Sequence, residues 1–147
     1  MIYKEEVRDL FSVPDDYYLA HCISADYALG AGIAVEFNKR FDMRRKLREE
    51  LLDYWDYMQR CDMQGECVLI DRVLNLITKE KYYHKPTYYS MCQALDAMKE
   101  VCEYNNITKV AMPLIGCGLD RLQWDKVSQM IKDTFADTDI EILICKR

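Results

Sequence analysis

Strand-length apolar runs that take turns with segments of helical period constrain this chain more than any other feature. Tyr17 to Ser24, Cys67 to Asp71, Val73 to Thr78, Lys109 to Leu114 and Ile140 to Cys145 are short, β-favouring stretches, and Ile2 to Val7 is a more polar candidate. Several read as buried on both faces, as strands covered by helices on each side do. After Pro86, Met91, Leu95, Met98 and Cys102 advance by four, three and four positions, which puts them on one face of a helix, with Asn105-Asn106 as its stop. Val127, Ile131 and Phe135 repeat every fourth position, leaving Asp125, Lys126, Lys132 and Asp133 to face water. Gly32 to Phe41 reads as a helix opening from a glycine turn. In Met43 to Met58, Leu47, Leu51, Tyr54 and Met58 recur at helical spacing, with Arg44, Arg48 and Glu49 as a solvated face. The alternation predicts an α/β sandwich around a largely parallel or mixed sheet, with its ligand edge beyond the carboxyl ends of the strands.

No Pro/Gly/Ser-rich linker, repeat or shift of composition divides the 147 residues, so a single domain over 1–147 is expected. The net charge of -5 argues against binding nucleic acid through a broad basic surface. The N-terminus lacks the apolar centre of a signal peptide, and no apolar run approaches the ~18 residues of a membrane span. A monomeric, cytoplasmic protein with no membrane association is the expectation. The seven cysteines (22, 61, 67, 92, 102, 117 and 145) are odd in number, form no Cys-x-x-Cys pair and have only His21 and His84 beside them. That arrangement suits neither a disulfide framework nor a zinc site. Most of the cysteines read as small buried hydrophobes, with Cys117, between two glycines, as the exception. No metal and no cofactor are expected.

Two glycine turns follow strand-like segments. Gly30-Ala31-Gly32-Ile33-Ala34 comes after Ala20 to Ser24 and leads into a helix, where backbone N–H groups can cradle phosphate. It lacks both G-x-G-x-x-G and the P-loop pattern, and small residues at a tight turn more often serve packing. Pro113-Leu114-Ile115-Gly116-Cys117-Gly118-Leu119-Asp120 is the second, with Asp120 at the rim of the same pocket. A lone carboxylate after such a turn is more often an N-cap or an ion-pair partner.

Five blocks in this order resemble macrodomains of the terminal ADP-ribose protein glycohydrolase type, a branch that also includes antitoxin macrodomains acting on ADP-ribosylated DNA. They are Ala20 to Ser24 with Gly30 to Val35, Leu76 to Lys79, His84-Lys85-Pro86-Thr87-Tyr88, and Gly116 to Trp124; together with Asp9 they cover most of the chain. The resemblance implies a three-layer α/β/α macrodomain fold with a mixed central sheet and ADP-ribose in a cleft at the strand ends. It maps the adenine contact to Asp9 beside Leu10, and the diphosphate and distal ribose to Gly30, Ala31, Gly32, Ile33, Gly116, Cys117, Gly118 and Leu119. Ser24 is a further contact, and the catalytic pair maps to Lys79 and Asp120. Arg8 departs from the pattern, standing where macrodomains commonly carry Gly, and Glu66 to Lys79 reads as a shortened hairpin.

The chemistry of the pair can also be argued from the residues. The anomeric carbon of an opened ribose is an aldehyde, which a neutral amine attacks to form an imine. A lysine in water is almost wholly protonated at neutral pH, so burial or a nearby cation such as Lys85 or Arg121 would have to free the amine. Asp120 would shuttle protons. Without the family context, Lys79 reads as a solvated strand-end lysine. The implied activity is hydrolysis of mono-ADP-ribose from acidic side-chain esters, with O-acetyl-ADP-ribose or an ADP-ribosylated nucleobase as variants and an ADP-ribosylated protein, small ester or nucleic acid as partner. The alternative is a reader that binds ADP-ribose without turnover. A phosphatase has no dedicated nucleophile here, and a Cys117-dependent hydrolase has no histidine assigned to it. Thr87 reads as an N-cap, His84 and Tyr88 as structural residues, and Trp124 as a core residue beneath the Asp120 loop.

Overall fold

The computed structural model describes residues 1–50 and 65–147. Six strands form one sheet in the order β1-β6-β5-β2-β4-β3. They are β1 (Ile2–Val7), β2 (Tyr18–Ser24), β3 (Glu66–Ile70), β4 (Val73–Lys79), β5 (Lys109–Met112) and β6 (Glu141–Lys146). Every pairing is parallel except β3 on β4, an antiparallel hairpin that turns through Asp71 at φ 53°. The sheet is therefore mixed, as expected. The strand ends shift slightly from the sequence reading, most clearly at β5, which stops at Met112 because Pro113 has no N–H to continue the pairing.

Side-chain alternation along the strands splits the core in two. Leu19 and Ile23 of β2, Val73 and Ile77 of β4 and Leu143 and Cys145 of β6 point to one face. There they meet Phe37 of α1 (Ile33–Phe41) and Met43 and Leu47 of α2 (Met43–Glu50). Ala20, Leu74, Leu76, Ile142 and Ile144 point to the other face. That face packs on Met91, Leu95, Met98 and Cys102 of α3 (Tyr88–Tyr104) and on Val127, Ile131 and Phe135 of α4 (Trp124–Phe135), all fully buried. The period-two strands and period-four helices thus account for a three-layer α/β/α arrangement. Leu51, Tyr54, Met58 and Cys61 lie outside the described residues.

Local signals fix where the helices begin. Thr87 caps α3 by accepting from the Ser90 N–H at 3.0 Å, and Ser90 returns the contact to the Thr87 N–H. The Ser90 hydroxyl also donates to the Thr78 carbonyl at 2.7 Å, tying the start of α3 to the end of β4. Gln123, not Asp120, stands at the N-cap of α4. Trp124 is half-buried at the edge of the core, with its indole N–H 3.3 Å from Glu5 on β1. Arg44 corrects the expected solvated face of α2: it is half-buried and its guanidinium donates to the Ala28 carbonyl. Among the described residues no helix is long and apolar enough to cross a membrane.

Candidate functional site

Five strands run parallel, so their carboxyl ends lie on one edge of the sheet, and a large cleft opens there. It measures about 1270 Å³. Arg8 and Asp9 follow β1, Ser24 ends β2, Lys79 ends β4, Pro113 follows β5, and Cys145 and Arg147 close β6; all line the cleft. Every residue expected from the sequence to bind ligand, from Asp9 and Leu10 to Leu119, lines this cleft.

The first glycine turn forms one bank. Gly32 is the N-cap of α1 at φ 61°, and no side chain caps that helix, which leaves its first N–H groups open for an anion. The second turn forms the opposite bank. Gly116 adopts φ 73°, the Leu122 N–H returns to the Gly116 carbonyl at 2.8 Å, and the Gln123 N–H donates to the Tyr88 hydroxyl at 3.0 Å. The banks approach closely: a Cβ added to Gly32 would stand 3.6 Å from Leu119 Cδ1. Open space remains around Gly118.

Lys79 and Asp120 meet where the banks converge. Lys79 Nζ donates to Asp120 Oδ1 at 2.7 Å, and both side chains are 15% exposed. The pair is thus screened from solvent yet open to the cleft. Lys85, expected as a cation beside Lys79, donates instead to the Leu119 carbonyl at 2.7 Å. Arg121 is exposed and is not among the cleft-lining residues.

At the far end, Asp9 Oδ1 accepts from the Phe11 N–H at 3.0 Å and Oδ2 faces Arg147 at 3.1 Å. The Phe11 N–H, helped by Arg147, holds this carboxyl below its usual range. Arg8 is drawn aside by Glu6 at 3.3 Å and by the Ser12 carbonyl at 3.1 Å. Arg40 lies 4.3 Å from the centre of the Phe11 ring. Although the chain is acidic, the cleft is lined by six cations, Arg8, Arg40, Arg44, Lys79, Lys85 and Arg147, against three carboxylates, Asp9, Glu36 and Asp120. A cleft with that balance favours an anionic ligand.

Cys117 does not present a thiolate. Burial pushes its thiol up to about 11, and its Sγ contacts the Ile115 carbonyl at 3.3 Å. His21 is buried against Asn75 and Phe37, and His84 contacts Tyr83 and the Lys81 N–H. Neither arrangement is a Cys–His pair. The six described cysteines are free; Cys102 and Cys145 are buried, Cys22, Cys67 and Cys117 half-buried and Cys92 exposed.

Sequence reasoning missed two residues that shape the banks. Arg44 holds the first turn through the Ala28 carbonyl, and Asp26 accepts from the Ser24 hydroxyl, from the Ala28 N–H at 3.1 Å and from the Tyr82 N–H at 2.9 Å. No motif spacing announces the Arg44 contact, 16 positions away, or the Asp26 contact with Tyr82, 56 positions away.

No family model matches the chain. It is 44% identical over 140 residues to human ADP-ribose glycohydrolase OARD1, an alignment covering 92% of this chain and 86% of that protein. Among solved structures, the macrodomain of Thermus aquaticus DarG superposes with a TM-score of 0.81 at 18% identity, over 99% of each chain. Thermosipho africanus DarTG in complex with ADP-ribose superposes with a TM-score of 0.72 at 18% identity, over 94% of this chain and 39% of that one. At such identities the solved structures speak for the fold alone.

Proposed function

This chain belongs to the ADP-ribose glycohydrolase family of macrodomains, and we propose that it frees mono-ADP-ribose from carboxylate esters with Lys79 as nucleophile and Asp120 as its proton partner. The observation that carries this reading is the 2.7 Å contact of the pair, at the point where the two glycine banks meet. In this reading residues 1–147 act as one domain.

ADP-ribose lies along the cleft with its adenine amino group at Asp9, whose oxygens each keep a lone pair beyond those used by Phe11 and Arg147. Its diphosphate rests on the open N-terminus of α1, between Gly30 to Ile33 and Gly116 to Leu119. The distal ribose then reaches Lys79.

The chemistry needs a neutral amine, and Asp120 is placed to take the ammonium proton across the existing hydrogen bond. The Nζ lone pair attacks the anomeric carbon. A C–N bond forms as the bond from that carbon to the ester oxygen breaks, and the target carboxylate leaves with the electron pair. Ring opening follows: the new ammonium loses one proton to water, its freed pair forms the protonated imine as the ring C–O bond breaks, and the ring oxygen takes the proton held by Asp120. Asp120, ionised again, accepts a proton from water as it adds to the imine carbon. Asp120 passes that proton to the nitrogen, takes the hydroxyl proton as the amine departs and returns it to Lys79, and the released aldehyde recloses as ADP-ribose. A small ester carried on the anomeric carbon presents the same bond, and a nucleobase linkage differs in its leaving group.

The test is incubation with protein carrying ADP-ribose on glutamate, with serine-linked and thymidine-linked ADP-ribose in parallel. Release from the glutamate ester is expected. Release from thymidine alone would replace the substrate class, and binding of free ADP-ribose with no release from any linkage would make the chain a reader.

A further inference from the structure

The segment from Lys79 to Lys85 carries two polar contacts to the Asp120 loop: Lys79 to the Asp120 carboxylate and Lys85 to the Leu119 carbonyl. Yet little core packing holds it. Glu80, Lys81, Tyr82, Tyr83 and Lys85 are exposed, Tyr82 at 66% and Tyr83 at 67%. The segment must therefore be held by polar anchors. Its start is fixed by the Ala25 N–H, which donates to the Lys79 carbonyl at 2.9 Å. Its middle closes on itself through the His84 N–H and the Lys81 carbonyl at 3.0 Å. The contact that ties this middle to the body of the protein is the Tyr82 N–H on Asp26 Oδ2, spanning 56 positions of sequence.

The other oxygen of Asp26 acts on a different wall. Oδ1 accepts from the Ser24 hydroxyl at the end of β2 and from the Ala28 N–H at 3.1 Å, where the chain enters the first glycine turn. That entry is strained, since Tyr27 and Leu29 hold φ of 54° and 45° without being glycine. Burial pushes the Asp26 carboxyl up, but the Ser24 hydroxyl and the Tyr82 and Ala28 N–H groups outweigh it and leave the group below its usual value.

We propose that Asp26 is a positioning residue: one carboxylate sets the diphosphate turn with Oδ1 and the Lys79–Lys85 segment with Oδ2, so that bound ligand and nucleophile share one frame. This rests on the assignment of Lys79 above. Displacing a reacting group by about 1 Å lowers the rate by orders of magnitude without requiring a change in ligand affinity. The two oxygens make the two functions separable. In Asp26→Asn, two donors at the Oδ1 position favour placing the amide oxygen there, which retains Ser24 and Ala28. The amide NH₂ then faces the Tyr82 N–H, donor against donor.

The full chain and its Asp26→Asn and Asp26→Ala variants would be compared for ADP-ribose affinity, for kcat on glutamate-linked ADP-ribose and for exchange of the Tyr82 amide hydrogen. For Asp26→Asn the expectation is affinity within about threefold of wild type, kcat lowered at least about tenfold and faster Tyr82 exchange. Asp26→Ala should lose affinity as well. Unchanged kcat in Asp26→Asn, or a loss of kcat no larger than the loss of affinity, would overturn the assignment. If wild type itself released nothing from glutamate, the proposed function would fail instead, so the two ideas fall to different results.

Discussion

His21 sits where a charge cannot be held. Its side chain is wholly buried and stacks on Phe37 at 3.8 Å between ring centres, and Nε2 meets Asn75 Oδ1 at 2.6 Å. Asn75 donates its own N–H to the Val68 carbonyl at 3.1 Å, so its oxygen faces the ring and fixes the imidazole proton on Nε2. Nδ1 is left buried with no partner for a second proton among the described residues. Burial accordingly lowers the folded-state value from 6.5 to about 4. The unfolded chain binds the proton first as pH falls, so the stability that neutral His21 supplies is complete above about pH 6.5 and is lost on the way down through pH 4. Its size is of the order of 3 kcal/mol. Denaturant midpoints at pH 7 and pH 4.5 should therefore fall further apart for wild type than for His21→Gln, and parallel losses would contradict this. None of it was legible in the sequence, where Asn75 stands 54 positions away. The contact of Asp26 with Tyr82 was hidden for the same reason. Lys79 and Asp120 stand 41 positions apart, and only the family resemblance joined them; a strand-end lysine alone has no signature.

Elements were easier to read than side-chain partners, because hydrophobic period is local. The buried steps Met91, Leu95, Met98, Cys102 and Val127, Ile131, Phe135 fix the two helices of one face, and the Thr87 cap fixes where α3 begins. Turns were legible where glycine marks them and less so at Asp71 and Arg121, which take positive φ without being glycine. Gly116 is a place where the element depends on one residue. Its φ of 73° suits glycine, and an added Cβ would stand 2.6 Å from Met91 Cε and 3.0 Å from Leu122 Cδ1. The methionine tip can swing aside, but the left-handed backbone cannot be relieved. Gly116→Ala should cost about 1–2 kcal/mol, seen as a melting temperature lowered by roughly 2–8 °C. A melting temperature equal to wild type would mean that the loop has another conformation open to it.

On the scale of the whole molecule, parallel pairing does the organising. It gathers the ends of five strands on one edge, and each end delivers something that lines the cleft: Asp9 after β1, Ser24 on β2, Lys79 on β4, the Asp120 loop after β5 and Arg147 after β6. The layering and the edge on which the cleft opens followed from the sequence pattern, while the cationic lining of the cleft did not, because a net charge of -5 conceals where the cations gather. The central claim is that this edge brings Lys79 into covalent contact with the substrate. Intact-mass spectrometry of Asp120→Ala after incubation with glutamate-linked ADP-ribose tests it most directly, because removing the proton partner should slow clearance of the lysine-bound intermediate more than its formation. The account predicts a gain of one ADP-ribose on Asp120→Ala and none on the Lys79→Ala, Asp120→Ala double variant, with Lys79→Ala still binding ADP-ribose but not turning over. Normal turnover by Lys79→Ala, or an adduct that persists in the double variant, would contradict it.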